Sequence, residues 1–448
     1  LVILKLFRIY IENENKIDIK DSKPIYLWDD VSEAEFLNIH EIQEGLTELG
    51  LVEAVIYLFY QHQKNTTVFR ELLLLCIAML YGGNKVVQDA FYDGFRHDYD
   101  NEIMSNFATI LENILETMKI RESQRTQECY FKALQYIFNN IDDIPDLDKA
   151  TSNSSITIPE NYKERLAIGF DQDQQELTKI KAQQSKDYDL LLIILEFLQN
   201  LCEGHYLNFQ EFLRDQTIVE HSKSFNIPEF LRQAYHVYHK YHNLENIGTG
   251  VKILDLLIEI EQGESQENID LMLRKTFIND LCNTLNGFNT NLDLLARGFS
   301  FDSGHPALME IKSKILILMK DIVEKSEPNS LVKIAQYVDL RALVSTFKEG
   351  IIAFHKKKGA CPTKETLRTE DMWDPDLSCS FMVYFILRNL SFDEPSEDFT
   401  PEILETFREI LEDGQGMDPQ LANQYFYNFF KQYTGSIEIF QKKSNKLM

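Results

Sequence analysis

The stretch LLLIILEFLQNLCEGHYLNFQEFLRDQ, Leu190 to Gln216, opens with six consecutive apolar residues, Leu190 to Leu195. Phe197, Leu198, Leu201, Phe209, Phe212 and Leu213 continue it at close to the spacing of a buried helical face, about 3.6 residues per turn. Between the two apolar blocks stands a polar break, Glu203-Gly204-His205. A carboxylate, a glycine and an imidazole in such a setting cost stability and need a reason. Two readings stand side by side: a helix-to-helix corner whose polar groups face water, or a polar site that the corner presents.

Composition bounds the rest. At 448 residues the chain exceeds one ordinary domain, so several cores or one continuous solenoid are expected. Hydrophobic residues at 44% and aromatics at 12% exclude wholesale disorder. The formal net charge of −26 repels phosphate backbones, so neither nucleic acid nor an anionic lipid surface is an expected partner, whereas cations are attracted weakly and without selectivity. Six cysteines, at positions 76, 129, 202, 282, 361 and 379, lie far apart without a CxxC pair, which signals neither a zinc site nor a disulfide framework. The longest apolar run, Leu72 to Tyr81, is too short to span a bilayer and suits a buried helix, so direct membrane insertion of this segment is not expected. Leu1 lies already inside the apolar run LVILKLFRIYI, so the sequence is expected to be a piece of a longer chain.

Working outward, the pattern predicts helices almost everywhere. Residues 1–20 read as one helix with an uncovered apolar face, and Ser32 with Glu35 as a capping box. Leu46 to Tyr60 reads as two helices broken at Gly50, and Glu71 to Tyr92 as two more joined by a Gly82-Gly83 C-cap. Helices are predicted over Phe107–Ile120 and Ala133–Ile141. The acidic, Ser/Asn-rich stretch 142–160 reads as a loop, and 161–187 as a solvated polar segment. Further helices are predicted over Phe225–Lys240, Val251–Gly263, Ile269–Leu285, Ala307–Val323, Leu331–Phe347 and Ser380–Leu390. Thr400-Pro401 and Asp418-Pro419 each read as an N-cap with a first-turn proline, and Gly435 to Phe440 alternates as a strand would. The fold class is all-α, an armadillo-like helical solenoid of paired helices with tight glycine corners, with the start of a small β-containing linker at its C-terminus.

Three segments carry a resemblance. CEGHYLNFQEFLRDQ, Cys202 to Gln216, resembles the CENHNxxxQNxLRxQ signature of the inositol trisphosphate receptor and ryanodine receptor family of intracellular calcium-release channels, with Gly204 and Tyr206 where the family usually has asparagines. MLYGGNKVVQ, Met79 to Gln88, resembles the family's LLxGGNxxVQ run, which precedes the RIH-associated domain. YNFFKQYTGSIEI, Tyr427 to Ile439, resembles its FYxxHTxxIEI segment, with Tyr433 in place of the usual histidine. The resemblance implies armadillo-like repeats over 1–145, a polar linker over 146–187, an RIH-associated domain over 188–350, a helical connector over 351–430 and the start of the pre-membrane linker over 431–448.

The same resemblance implies a regulatory calcium site. The family takes one carboxylate from the signature and one from a TEYIQG-like segment, which match Glu203 and Glu259, with His205 and Gln262 in the outer shell. Glu259 and Gln262, three apart, share a helix face. Two carboxylates supply at most about four of the six to eight oxygens that Ca2+ takes, so the site is expected to be weak and suited to sensing. Gly204 is expected to loosen the corner. Without the family match, Glu259 is an ordinary solvated helix residue. His236, His239 and His242, at steps of three, read as surface or packing residues rather than a metal stripe, and the acidic segments Asp393–Phe399 and Glu412–Asp418 as turns, since neither has the glutamate of a calcium loop. No motif of an enzyme stands in a supporting context, and an enzyme is not expected. The implied function is the cytoplasmic regulatory and coupling region of a ligand-gated calcium-release channel. It would lie on the cytoplasmic face of the endoplasmic reticulum or another calcium store, partnered by other subunits of a homotetramer and by the C-terminal domain and pore of its own chain. The alternative is a soluble α-solenoid scaffold without a pore.

Overall fold

The computed structural model describes residues 1–13, 33–139, 189–286, 306–358 and 374–391, apart from Lys64, 99–100, Ser222, 243–245 and Glu264 within those ranges. Among them every regular element is helical and no strand occurs, as the all-α pattern predicts. The capping side chain of Ser32, the segments 14–20 and 142–187, and the predicted elements at 400–440 lie outside the described residues. No described helix is long and apolar enough to cross a membrane.

The chain forms two compact units, residues 1–242 with 255–265, and residues 243–254 with 266–448. In the first unit the order is α1 (Val2–Asn13), α2 (Glu33–Glu48), α3 (Leu51–His62), α4 (Thr66–Leu80), α5 (Lys85–Arg96) and α6 (Glu102–Asn139). Then come α7 (residues 189–202), α8 (Leu207–Arg214), a 3-10 turn (Gln216–Val219) and α9 (Ile227–Tyr241). The helix α10 (Ile247–Glu261) gives its residues from 255 onward to this unit. Gly50, at φ 85, turns α2 into α3 as the sequence predicts. Gly82 and Gly83, at φ 80 and 68, both lie in the left-handed region that glycine enters without steric cost, and they end α4. Asn65, Asn84 and Asn226 cap α4, α5 and α9, each side chain accepting a backbone N–H of the first turn.

Two helices are apolar nearly all round and therefore lie inside the unit rather than on its face. One is α4, buried from Glu71 through Leu80, and the other is α7, buried at most positions from Leu191 to Cys202. The polar exception in α4, Glu71, is paired with Arg8 Nε of α1 at 2.7 Å. That ion pair holds α1 by one face while Leu1, Val2, Ile3, Leu6, Ile9 and Tyr10 stay exposed. Phe197 of α7 sits among rings from three other elements. It stacks on Phe107 of α6 at 5.8 Å between centroids, meets Phe91 of α5 edge-on at 6.0 Å and lies 6.4 Å from Phe59 of α3, which itself meets Phe69 of α4 at 5.5 Å.

The second unit contains α11 (Gln266–Met272), α12 (Lys275–Asn286), α13 (Pro306–Lys325), α14 (Pro328–Tyr337), α15 (Leu340–Lys358) and α16 (Pro375–Ser391). Close approach of α15 and α16 depends on Gly350, where a Cβ would fall 2.3 Å from Ser380 Oγ and 2.5 Å from the Asp376 carbonyl oxygen. Ser380 Oγ donates to the Phe347 carbonyl at 3.0 Å across the same seam. Lys312 of α13, itself buried, pairs with Glu349 at 2.9 Å.

Several boundaries differ from the sequence pattern. The two helices predicted over 107–120 and 133–141 are one helix of 38 residues, because the polar stretch between them, RESQRTQE, consists mostly of good helix formers and contains no glycine or proline. The single helix predicted over 269–285 is two, divided at Leu273-Arg274, where the Arg274 carbonyl accepts the Phe277 and Ile278 N–H groups that open α12. The helix predicted over 331–347 is also two, divided at Asp339, whose carboxylate accepts the N–H groups of Arg341 and Ala342 as an N-cap. The last described helix starts at Pro375, not Ser380, with Asp374 capping it. Helix α10 begins at Ile247, four residues before Val251.

Cys76, Cys202, Cys282 and Cys379 are free and buried, and burial pushes each thiol up, Cys282 and Cys379 to about 12. Phe197→Ala removes the ring on which the packing of α3, α5 and α6 against α7 converges and is expected to cost about 3–5 kcal/mol, read from the midpoint and slope of a urea denaturation curve. A cost within the range of a surface substitution would contradict this placement of the core.

Candidate functional site: an acidic helix corner

The polar break at 203–205 is a tight corner between α7 and α8. Gly204 and His205 take φ 70 and 60, and the Tyr206 N–H donates to the Cys202 carbonyl at 3.1 Å. Two consecutive left-handed residues reverse the chain within one turn. Position 204 needs a residue that tolerates the left-handed region, and Gly and Asn are the two that do so most readily. Gly204 and His205 are exposed and Glu203 is half-buried, so the corner faces water while its acidic residue leans inward.

Helix α5 holds this corner from one side. The Gln88 amide nitrogen donates to the carbonyls of Asn200, Leu201 and Glu203 at 3.1, 3.4 and 2.9 Å. These are carbonyls that a helix C-terminus leaves without an intrahelical partner. One residue further, Asp89 accepts the hydroxyl of Tyr206, and Asn208 donates to that hydroxyl at 3.4 Å. Burial and the Asp89 hydrogen bond push the Tyr206 phenol well above its ordinary value. Tyr92 and Phe95 of α5 then pack on Phe209 and Phe212 of α8, with ring centroids 5.5 to 6.1 Å apart.

The end of α10 closes the other side. Gln210 Nε2 of α8 donates to the Glu259 carbonyl at 2.7 Å. The approach is possible because position 263 is glycine: a Cβ there would fall 2.0 Å from Gln210 Oε1. Glu259 is thereby brought to the corner. The Cys202 thiol is pushed well above its ordinary value first by burial and then by the negative charges of Glu259 and Glu203. The Tyr81 phenol is raised by burial and then by Glu196 and Glu203. Both acidic residues, fifty-six positions apart in the chain, belong to the first unit.

Of the outer-shell residues, Gln262 is half-buried one turn beyond Glu259, and His205 is exposed at the tip of the corner. Elsewhere, His242 is buried with a ring nitrogen 2.6 Å from the His239 carbonyl, and His236 and His239 lie ring to ring at 5.3 Å. The turns at 393–399 and 412–418 lie outside the described residues.

Residues 185–285 match the family model described as RyR and IP3R Homology associated. The matched segment contains α7 to α12, the whole corner and the Glu259 segment. Over residues 185–285 the chain is similar to the region that this description names for ryanodine and inositol trisphosphate receptors.

The structure gives a physical role to signature positions that the sequence leaves as letters. Gln210 joins α8 to α10. Gln216 accepts the Phe225 N–H at 2.6 Å and donates to the Phe212 and Phe225 carbonyls, closing the loop between α8 and α9. Nothing local in the sequence marks Gln88, Asp89, Gly83 and Gly263 as site residues, because what they touch is remote in sequence. With no heavy atom within 4 Å of a Cβ at position 204, Gly204→Asn meets open space. It is expected to change stability by less than about 1 kcal/mol in either direction, checked by thermal denaturation, and a larger loss would contradict the corner geometry.

Proposed function

We propose that this chain is part of the regulatory and coupling region of an intracellular ligand-gated calcium-release channel, with Glu203 and Glu259 as ligands of a regulatory Ca2+. The observation that carries this reading is geometric: Gln210, on the helix that leaves the Glu203 corner, donates to the main chain of Glu259 at 2.7 Å, inside the segment that matches the family. Carboxylate oxygens are the hard donors that Ca2+ takes, and Glu203 is half-exposed at a corner open to the ion. The Glu259 main-chain carbonyl already accepts from Gln210, and in this reading the donor from that residue is its side chain. The two carboxylates leave the coordination shell to be completed by water and by a segment outside these residues, in the family's terms the C-terminal domain. Such a site is weak alone and responds to how the surrounding pieces pack, which is what a sensor requires. His205 and Gln262 orient the shell.

In this reading the helices belong to an armadillo-like solenoid, with repeats over 1–145, a polar linker over 146–187, the RIH-associated domain over 188–350, a connector over 351–430 and the start of a β-containing linker over 431–448. The region faces the cytoplasm at the membrane of the endoplasmic reticulum or another store and assembles as a homotetramer. It performs no catalysis: ligand and calcium bias one packing of rigid helices over another, and the difference reaches the gate.

Two experiments test this. The complete open reading frame should encode about six apolar spans of roughly 20 residues after residue 448, and a frame without them leaves a soluble scaffold instead. In the complete protein, Glu203→Gln/Glu259→Gln should weaken calcium binding by more than about tenfold, measured by calorimetry or by calcium-dependent activation. Unchanged affinity removes both residues from the site.

A further inference from the structure

The acidic corner does not stand alone, because a second corner is seated against it. The turn Tyr81–Asn84, between α4 and α5, presents bare glycine backbone to Glu203. A Cβ on Gly83 would fall 2.9 Å from Glu203 Cγ, 3.3 Å from its Cβ and 3.4 Å from its carbonyl carbon. Gly83 also sits at φ 68, so the position excludes side chains both by backbone conformation and by the presence of Glu203. Four residues on from Asn84, Gln88 takes the three carbonyls that include Glu203's own. Glu203 is therefore held at its main chain by Gln88 and along its side chain by the Gly83 backbone.

The seat is itself pinned. Gln43 of α2 donates to the Ala78 and Tyr81 carbonyls at 2.9 and 3.1 Å, and Asn84 Nδ2 donates to Gln43 Oε1 at 3.1 Å and to the His40 carbonyl at 3.3 Å. A line of buried amides thus runs from α2, through the Tyr81–Asn84 turn and α5, to Glu203. Gln43, Asn84 and Gln88 are each no more than 2% exposed.

We propose that Gly83 and Gln88 are positioning residues for Glu203: they fix where its carboxylate stands and couple that position to the stack α2–α4–α5. This deepens the calcium reading and rests on it for one of its two readouts. A shift of the glycine corner, transmitted through Gln43 and Asn84, moves a metal ligand without touching the metal. Residues that orient a ligand from behind commonly change metal affinity when altered.

The test uses the complete protein and a matched pair of substitutions. Gly83→Ala and Gly50→Ala both place a side chain at a left-handed position, φ 68 and 85, but the nearest atom to a Cβ at Gly50 is Glu53 Oε2 at 3.8 Å, an ordinary contact. The two variants share backbone strain and differ in the clash with Glu203. Hydrogen exchange of the amides at 203–206 is followed in calcium-free buffer. Gly83→Ala is expected to speed it about tenfold relative to Gly50→Ala, Gln88→Leu is expected to do the same, and Glu203→Ala added to Gly83→Ala is expected to restore slow exchange by removing Cγ. Calcium affinity is expected to fall about tenfold in Gly83→Ala and to hold in Gly50→Ala.

Equal exchange at 203–206 in the two glycine variants overturns the proposal. It is equally overturned if Gly83→Ala binds calcium like the wild type while Glu203→Gln does not. If Glu203→Gln itself leaves calcium binding unchanged, the calcium reading fails, and the exchange measurement alone decides whether Gly83 and Gln88 position this residue. Should Gly83→Ala fail to fold, Gln88→Leu against the wild type tests the main-chain attachment of Glu203, and unchanged exchange at 203–206 in that variant overturns the proposal.

Discussion

The hydrogen bonds from the Gln88 amide to the carbonyls of Asn200, Leu201 and Glu203 are the constraint on which the first unit's arrangement depends. A helix that ends inside a protein strands carbonyls that water would otherwise satisfy, and each left unpaired costs about 1–3 kcal/mol. The end of α7 lies among apolar helices, so its carbonyls need a donor from elsewhere in the fold. One primary amide supplies it from α5. The same solution recurs along the unit: Gln43 serves the end of α4, Gln210 the end of α10, and Gln216 the end of α8. Glutamine suits the task because its amide offers donors and an acceptor without the desolvation penalty of a charge.

Around this staple the apolar packing divides cleanly. Helix α5 gives Phe91 to the ring cluster of α3, α6 and α7, and Tyr92 and Phe95 to the cluster of α8. Gln88 and Asp89, one turn earlier, meet the corner between those clusters. The corner is therefore fixed by two aromatic packings and two polar attachments, while its outer residues, Gly204 and His205, remain in water. An acidic side chain at such a place can be held rigidly and still reach a cation. Glu203 combines such a mount with a half-exposed side chain.

How much of this was legible in the sequence follows from the range of each interaction. The corner at 203–205 and the glycine turn at 82–83 announce themselves, because a polar or glycine break in an apolar helical pattern is a local signal. Helix starts with an asparagine cap or a first-turn proline, at Asn226, Pro306 and Pro328, are local too. Where the boundaries differ from the pattern, the local cue is weak: Asp339 and Asp374 are ordinary caps set inside runs that otherwise keep helical spacing, and the break at Leu273-Arg274 carries no glycine or proline at all. The amide staples were not legible. Gln88 and Glu203 are 115 positions apart and Gln43 and Ala78 are 35 apart, and a glutamine has no spacing rule that names its partner. For the same reason the link from the corner's second helix to Glu259, through Gln210, is visible only in the fold, and in the sequence only the family resemblance names the pair.

The central claim is that these two carboxylates share one divalent ion. The most direct measurement is a structure of the complete protein determined in millimolar calcium and again in chelator, at a resolution that separates carboxylate oxygens. The account predicts a calcium-dependent density with oxygens of both Glu203 and Glu259 at about 2.3–2.6 Å. Density bound by neither residue, or carboxylates that turn away from one another in the calcium-loaded state, would contradict it.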